Sequence, residues 1–216
     1  MLQGLTAWTL VRDAHEVREN EWVLVQAAAG GAGGLVAQMA KFLGAKVIGT
    51  ASGPEKCAVV EQNGCDVVID YTKCRVEDEV SRVTDGLGCH AVFPGVGQAA
   101  FKADLRCTRT KGTFVTSGNS SGPIEGMPVW DLSEKNVKMV RPTLANYIKE
   151  REEFVSRSRE LMTLISDGTV KVRVGGLYDL GDVGKARDEL SQGKTVGKLL
   201  VKVSTRTDDG SILSTE

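Results

Sequence analysis

Three glycines, Gly30, Gly31 and Gly33, stand in the run Val23-Leu24-Val25-Gln26-Ala27-Ala28-Ala29-Gly30-Gly31-Ala32-Gly33-Gly34. The chemistry this spacing serves is anion binding. Missing side chains let an anion approach the backbone. A helix start offers unpaired N–H groups and the positive end of the peptide dipoles. The frame Ala28 to Gly33 is a G-x-G-x-x-G pattern with Ala in first place. By itself it also fits a glycine-rich turn closing an ordinary βα unit. The pyrophosphate of a dinucleotide requires a strand before it, a helix after it and a second strand ending about 20 residues on. Val23 to Val25 reads as the strand. Leu35, Val36, Met39, Ala40 and Leu43 mark the helix, and Lys46 to Ala51 the second strand.

The tip of the second strand bears on which dinucleotide. An NAD site places Asp or Glu there for the ribose hydroxyls. Here the tip is Thr50-Ala51-Ser52-Gly53, with no acid until Glu55. Ser52 can hydrogen-bond a 2′-phosphate and Lys56 can supply a positive charge, so NADP(H) is favoured over NAD(H). Lys56 also reads as a solvated lysine on the next helix.

The 216 residues are 41% hydrophobic and 25% charged, which fits one large domain, alone or with an appendage. A net charge of −1 gives no global field toward nucleic acid or an anionic membrane. RNA binding therefore has no support in the charge. The sequence shows neither an apolar run of spanning length nor a secretory leader. Cys57, Cys65, Cys74, Cys89 and Cys107 are scattered, an odd set that suggests free thiols in a reducing, cytoplasmic compartment. His15 and His90 are far apart, and no cluster has zinc-ligand spacing.

Elements that would position these residues alternate along the chain. Helix is expected over 5–17, with Leu5, Trp8, Thr9 and Val11 buried, and strand over 22–26. Helices then fall at 54–62, 76–83 and 98–105, and strands at 67–69, 90–93, 112–117 and 136–140. Tyr147 to Ser166 is the strongest helix, stopped by Gly168. Such alternation implies an α/β fold, a Rossmann-type doubly wound parallel sheet of about six strands. Its ligands bind beyond the carboxyl ends of the strands. A C-terminal strand–helix–strand appendage follows, with elements at 170–174, 183–190 and 197–203. We expect a dinucleotide-binding domain over 1–175, an appended segment over 176–203, and a polar, disordered tail over 204–216.

With these loops laid out, the chain resembles the quinone oxidoreductase (zeta-crystallin-like) branch of the zinc-free medium-chain dehydrogenases/reductases. The resemblance covers nearly all of Leu2 to Lys202. It is carried by Gln3-Gly4-Leu5-Thr6-Ala7, the glycine run, Ala51-Ser52 with Glu55-Lys56, and Lys111-Gly112-Thr113-Phe114-Val115. It continues in Gly118-Asn119-Ser120-Ser121-Gly122, Arg141-Pro142-Thr143-Leu144, Arg151-Glu152-Glu153 and Gly197-Lys198-Leu199-Leu200. It implies NADPH as cofactor and a quinone as hydride acceptor. It places Gly31 and Ala32, with Gly30 and Gly33, on the pyrophosphate. Ser52, Lys56 and Tyr71 would surround the 2′-phosphate. Val96 and Gly118-Asn119-Ser120-Ser121 would line the adenine ribose and nicotinamide side. Pro142, Thr143 and Leu144 would lie beside the nicotinamide, with Thr9 and Lys194 as further cofactor contacts. Pairing of subunits through the sixth strand, Asn136 to Val140, is implied as well.

The chain also departs from the family. Members begin with a GroES-like domain of more than a hundred residues, which this sequence does not contain. The expectation is that it was lost or lies in upstream coding sequence. Apolar residues of the last segment (Leu180, Val183, Leu190, Leu199, Val201) would then dock loosely. Pro94-Gly95 replaces a usual Asp-Ser, and Gly34 a larger apolar residue. Two functions fit. One is NADPH-dependent quinone reduction, in which the protein positions both reactants and needs no side-chain acid or base. Asn146 and Tyr147 fall near the family cleft and read as structural. The alternative is a catalytically weak NADPH-binding module acting through a protein partner or RNA.

Overall fold

A computed structural model describes residues 1–203 and, by backbone, the short antiparallel pair Thr205–Arg206 and Ile212–Leu213. The rest of the expected disordered tail lies outside the described residues. The chain divides into two compact units, Met1–Lys171 and Val172–Glu216.

In the first unit, helix α1 (Leu2–Thr9) runs into a π-helical turn (Leu10–Ala14). There follow β1 (Trp22–Val25), α2 (Gly31–Phe42), β2 (Lys46–Ala51), α3 (Gly53–Gln62), β3 (Val67–Asp70) and α4 (Val76–Val83). Next come β4 (Cys89–Phe93), α5 (Phe101–Cys107), β5 (Thr108–Val115), β6 (Lys138–Val140), α6 (Leu144–Tyr147) and α7 (Arg151–Ser166). The six strands form one parallel sheet in the order β3-β2-β1-β4-β5-β6. The fold is the doubly wound α/β sheet that the alternation implies. The chain reverses direction across the sheet between β1 and β4, and a crevice opens outside their carboxyl ends.

Register explains how these strands, short as they are, bury both faces. Leu24 lies between Ile48 of β2 and Val92 of β4. These three, with Ile69 and Phe114, pack on Val80 of α4 and on Phe101 and Cys107 of α5. The Phe101 and Phe114 rings meet edge to face, 5.6 Å apart. Alternate residues face the other way. There Gly49 makes room for Val60 of α3, since a Cβ on it would lie 2.4 Å from the Val60 methyl. Helix α1 packs on α2 and α7. Its Trp8 indole donates to Glu160 at 2.7 Å, and Asp13 pairs with Arg157 at 2.5 Å.

Element boundaries differ from expectation at several ends, among them that of β5, which starts at Thr108 and not at residue 112, and in three further places. The first helix ends at Ala14, not at residue 17, because the chain leaves helical geometry at His15 (φ −143°, ψ 119°). Residues 144–166 hold two helices, broken at Ile148 (φ −120°). The strand expected at 170–174 lies at Val174–Asp179. Val170 is instead buried where its N–H donates to Leu164 O, closing α7 after Gly168 (φ +80°).

The second unit is a small parallel pair, β7 (Val174–Asp179) and β8 (Lys198–Lys202), joined through α8 (Val183–Ser191). Leu180, Val183, Leu190 and Val201 are exposed, and Leu199 is half-buried.

Candidate dinucleotide site

The glycine turn begins where β1 ends. Ala27 takes a left-handed conformation (φ +51°), and its carbonyl accepts the Gly30 N–H at 2.9 Å. Gly30 is extended and opens α2, and no side chain caps that helix. The first-turn amides thus have no intrahelical partner and no side-chain acceptor. Gly33 packs on the turn itself. A Cβ there would lie 2.4 Å from the Ala27 carbonyl oxygen, a backbone atom that cannot yield. Over Gly31 lies the Gln3 amide, whose nitrogen would sit 2.5 Å from a Cβ. Gly34 has a purpose hidden in the sequence. The Asn63 amide fills the space beside it and donates to the Ala28 carbonyl at 2.9 Å, tying α3 to the turn.

A pocket of about 250 Å³ opens on this turn. Ala27, Gly30, Ala32 and Gly33 line one side, and Pro94, Gly95, Ser117 and Gly118 another. Thr6 and Leu10 of the first helix complete the wall. Thr9 does not line it. It is 3% exposed, on the buried side of the helix as expected, and Thr6, one turn earlier, lines the pocket instead.

The two loops beyond β4 and β5 hold each other. Gly118 rests on Gly95 so closely that a Cβ would lie 2.3 Å from the Gly95 carbonyl oxygen. The Ser121 hydroxyl and N–H both donate to Val96 O at 2.7 Å, and the Ser120 hydroxyl donates to Gly95 O at 3.2 Å. The Asn119 side-chain oxygen accepts from Arg141 at 3.0 Å, and Arg141 also donates to Thr116 O at 2.7 Å. Val96 and Gly118 to Ser121 therefore meet as one cluster. Pro142, Thr143 and Leu144 follow β6 and start α6, outside the lining of the pocket. Lys194 belongs to the second unit, exposed beyond α8, where its N–H donates to Glu189 O at 3.0 Å.

Ser52, Lys56 and Tyr71 meet at the ends of β2 and β3. Lys56 Nζ donates to the Ser52 hydroxyl at 3.4 Å, and the Tyr71 N–H donates to Ala51 O at 3.1 Å. Ser52 caps α3 by position only, leaving its hydroxyl outside the helix bonds.

Sequence reasoning missed two carboxylates. Asp70, at the end of β3, accepts the Gly53 N–H at 3.0 Å and the Thr72 hydroxyl at 2.7 Å. The Thr72 and Gly53 bonds hold its carboxyl down at about 2. Asp104, on α5, is fully buried, and Gln26 at the pocket donates to it. Burial pushes Asp104 up to about 7, which the Gln26 bond only partly opposes. The other titratable groups offer no nucleophile at the pocket. Burial pushes the Cys65 and Cys89 thiols up to about 12. His15 and His90 lie at the opposite, amino end of the sheet, bonded to Glu21 and to the Trp22 N–H. Among the described residues no group of three or more His, Cys, Asp or Glu could hold a metal.

The profile of the zinc-binding dehydrogenase family matches residues 31–160, from the glycine turn to α7. The chain belongs to that family. Relatives in it include the quinone oxidoreductase of Pseudomonas aeruginosa, 36% identical over 93% of this chain and 62% of that protein. Quinone oxidoreductase 1 of Escherichia coli is 36% identical over the same shares. Among solved structures, the quinone oxidoreductase of Pseudomonas syringae superposes with a TM-score of 0.89 at 39% identity, over 94% of this chain and 63% of that one. The Escherichia coli quinone oxidoreductase complexed with NADPH gives 0.90 at 35% identity, over 94% and 63%. The chain thus spans about three-fifths of the length of these family members.

Proposed function

We propose that the chain binds NADPH in the pocket of the glycine turn and takes part in NADPH-dependent reduction of a quinone. One observation carries the binding: Gly33 lies where any side chain would collide with Ala27, so the uncapped start of α2 meets the pocket as bare backbone. That backbone would hold the pyrophosphate through the amides of Gly31, Ala32 and Gly33. Ser52, Lys56 and Tyr71 would hold the 2′-phosphate. The paired loops at Gly95–Val96 and Gly118–Ser121 would line the ribose and nicotinamide, Thr6 and Leu10 would limit water, and Pro142 to Leu144 would complete the surroundings. Bound NADPH would supply the hydride. The protein's part is to fix distance and angle, which needs no acid or base at the pocket. NADPH-complexed and quinone-reducing relatives support this reading.

Titration of the chain with NADPH, followed by nucleotide fluorescence, tests the binding. Saturable enhancement is expected. A native circular dichroism spectrum with no binding refutes it. Oxidation of NADPH by a simple para-quinone tests the chemistry, and binding without turnover would leave a dinucleotide-binding module. Lys56→Ala should weaken NADPH about tenfold and NADH hardly at all. Equal losses would remove Lys56 from the phosphate.

We also propose that two copies pair through β6. That strand bonds to β5 on one side and forms the edge of the sheet on the other. An open edge is a template for a second strand. Sedimentation should give twice the 23.1 kDa chain mass. Free thiols at all five cysteines agree with a reducing, cytoplasmic setting.

A further inference from the structure

The lack of an acid at the tip of β2 is what favours a phosphate on the adenosine ribose. The sheet supplies an acid from the next strand. Register pairs Ala51 of β2 with Asp70 of β3, and the Asp70 carboxylate reaches across to the turn that carries Ser52. Its Oδ1 accepts three bonds, from the Gly53 N–H at 3.0 Å, the Thr72 N–H at 3.1 Å and the Thr72 hydroxyl at 2.7 Å. Its Oδ2 is enclosed and has no hydrogen-bond partner. Lys73 lies 3.7 Å from Oδ2, but its side chain is 72% exposed, so solvent weakens that pair.

Two consequences follow for a phosphate beside Ser52. The Gly53 amide, a first-turn donor of α3, is already spent on Asp70. A fixed negative charge also stands one hydrogen bond from the residue after Ser52, with one oxygen enclosed, which limits its screening. We propose that Asp70 is a specificity-determining residue that works against the 2′-phosphate, so that the site takes NADH alongside NADPH. The carboxylate is ionised throughout the working pH range, because its Thr72 and Gly53 bonds keep it in the charged form. It tells on the ratio of the two nucleotides, which share the pyrophosphate and differ at the 2′ position, a phosphate against a hydroxyl. The proposal rests on the dinucleotide reading of the pocket.

Asp70→Asn is the direct test, because an amide oxygen can still accept the Gly53 N–H while the charge is gone. Dissociation constants for NADPH and NADH are measured by fluorescence on the unaltered chain and the variant. Roughly a three- to tenfold tightening of NADPH is expected, with NADH within about twofold, as removal of one nearby repulsive charge implies. Asp70→Ser, judged native by circular dichroism, should shift the ratio in the same direction. An unchanged NADPH-to-NADH ratio in a folded variant overturns the proposal and leaves the site intact. Unaltered chain that binds neither nucleotide overturns the dinucleotide reading and this proposal with it. Loss of fold in both neutral variants would make Asp70 a structural carboxylate, and the specificity role would fall.

Discussion

The first unit and the second both contain parallel strands joined through a helix, yet they differ in what they bury. In the first, strands as short as Trp22–Val25 are covered on both faces, and Leu24, Ile48, Val92 and Phe114 are wholly inaccessible. In the second, β7 and β8 share one helix, and Ala186 is the buried residue of that helix. Leu177, in β7, is 68% exposed. A lone pair of strands with one helix has too little apolar surface to enclose itself, whereas six strands with helices on both faces do. The same local pattern therefore yields a core in one place and an open surface in the other.

The largest effect that tests this contrast is Phe114→Ala. It should cost about 3–5 kcal/mol, because it opens a cavity against Phe101. Urea unfolding followed by circular dichroism reads the loss. Gly33→Ala should cost about 3 kcal/mol by forcing the turn and α2 apart, and NADPH binding should go with it. Retention of binding would show that the turn tolerates a side chain.

Asp104→Asn should act the other way. The folded carboxyl titrates near 7, above its unfolded value, so the native state binds more protons between about pH 4 and 7. Stability is then lost as pH rises through that window. The amide removes the loss, and the variant should be more stable than the parent by roughly 2 kcal/mol at pH 7.5 and no more stable near pH 4. A flat difference between the two pH values would show that Asp104 is ionised at little cost. Leu177→Ala should be the smallest, within about 0.5 kcal/mol, as for other surface changes. If it cost as much as Phe114→Ala, the second unit would have to bury β7 after all.

Much of this was legible in the chain. The strand, glycine turn and helix of residues 22–43 are local, and the unbroken apolar run of the strand and the 3.6 period of the helix show in the residues themselves. Six strands could be read, but their ends could not. Residues 170–174 read as strand, yet Val170 is drawn back onto α7 by burial. Thr9 and Thr6 show the same limit within a helix: both lie on α1, and only the packing of its faces decides which one meets the pocket. Gly34 read only as the replacement of a larger apolar residue, because its partner, Asn63, lies 29 positions away at the end of another helix.

The sequence by itself determined the alternating sheet, the bare backbone at Gly30 to Gly33, and the Ser52–Lys56 pair, because each depends on neighbours within one turn or one βα unit. Only the tertiary structure decided where the carboxylates stand. Asp70 reaches Gly53 because β3 pairs with β2, and Asp104 reaches Gln26 because α5 packs on β4, the neighbour of β1. A charge acts through space, and its neighbours in space are set by strand order and register, which no single segment carries.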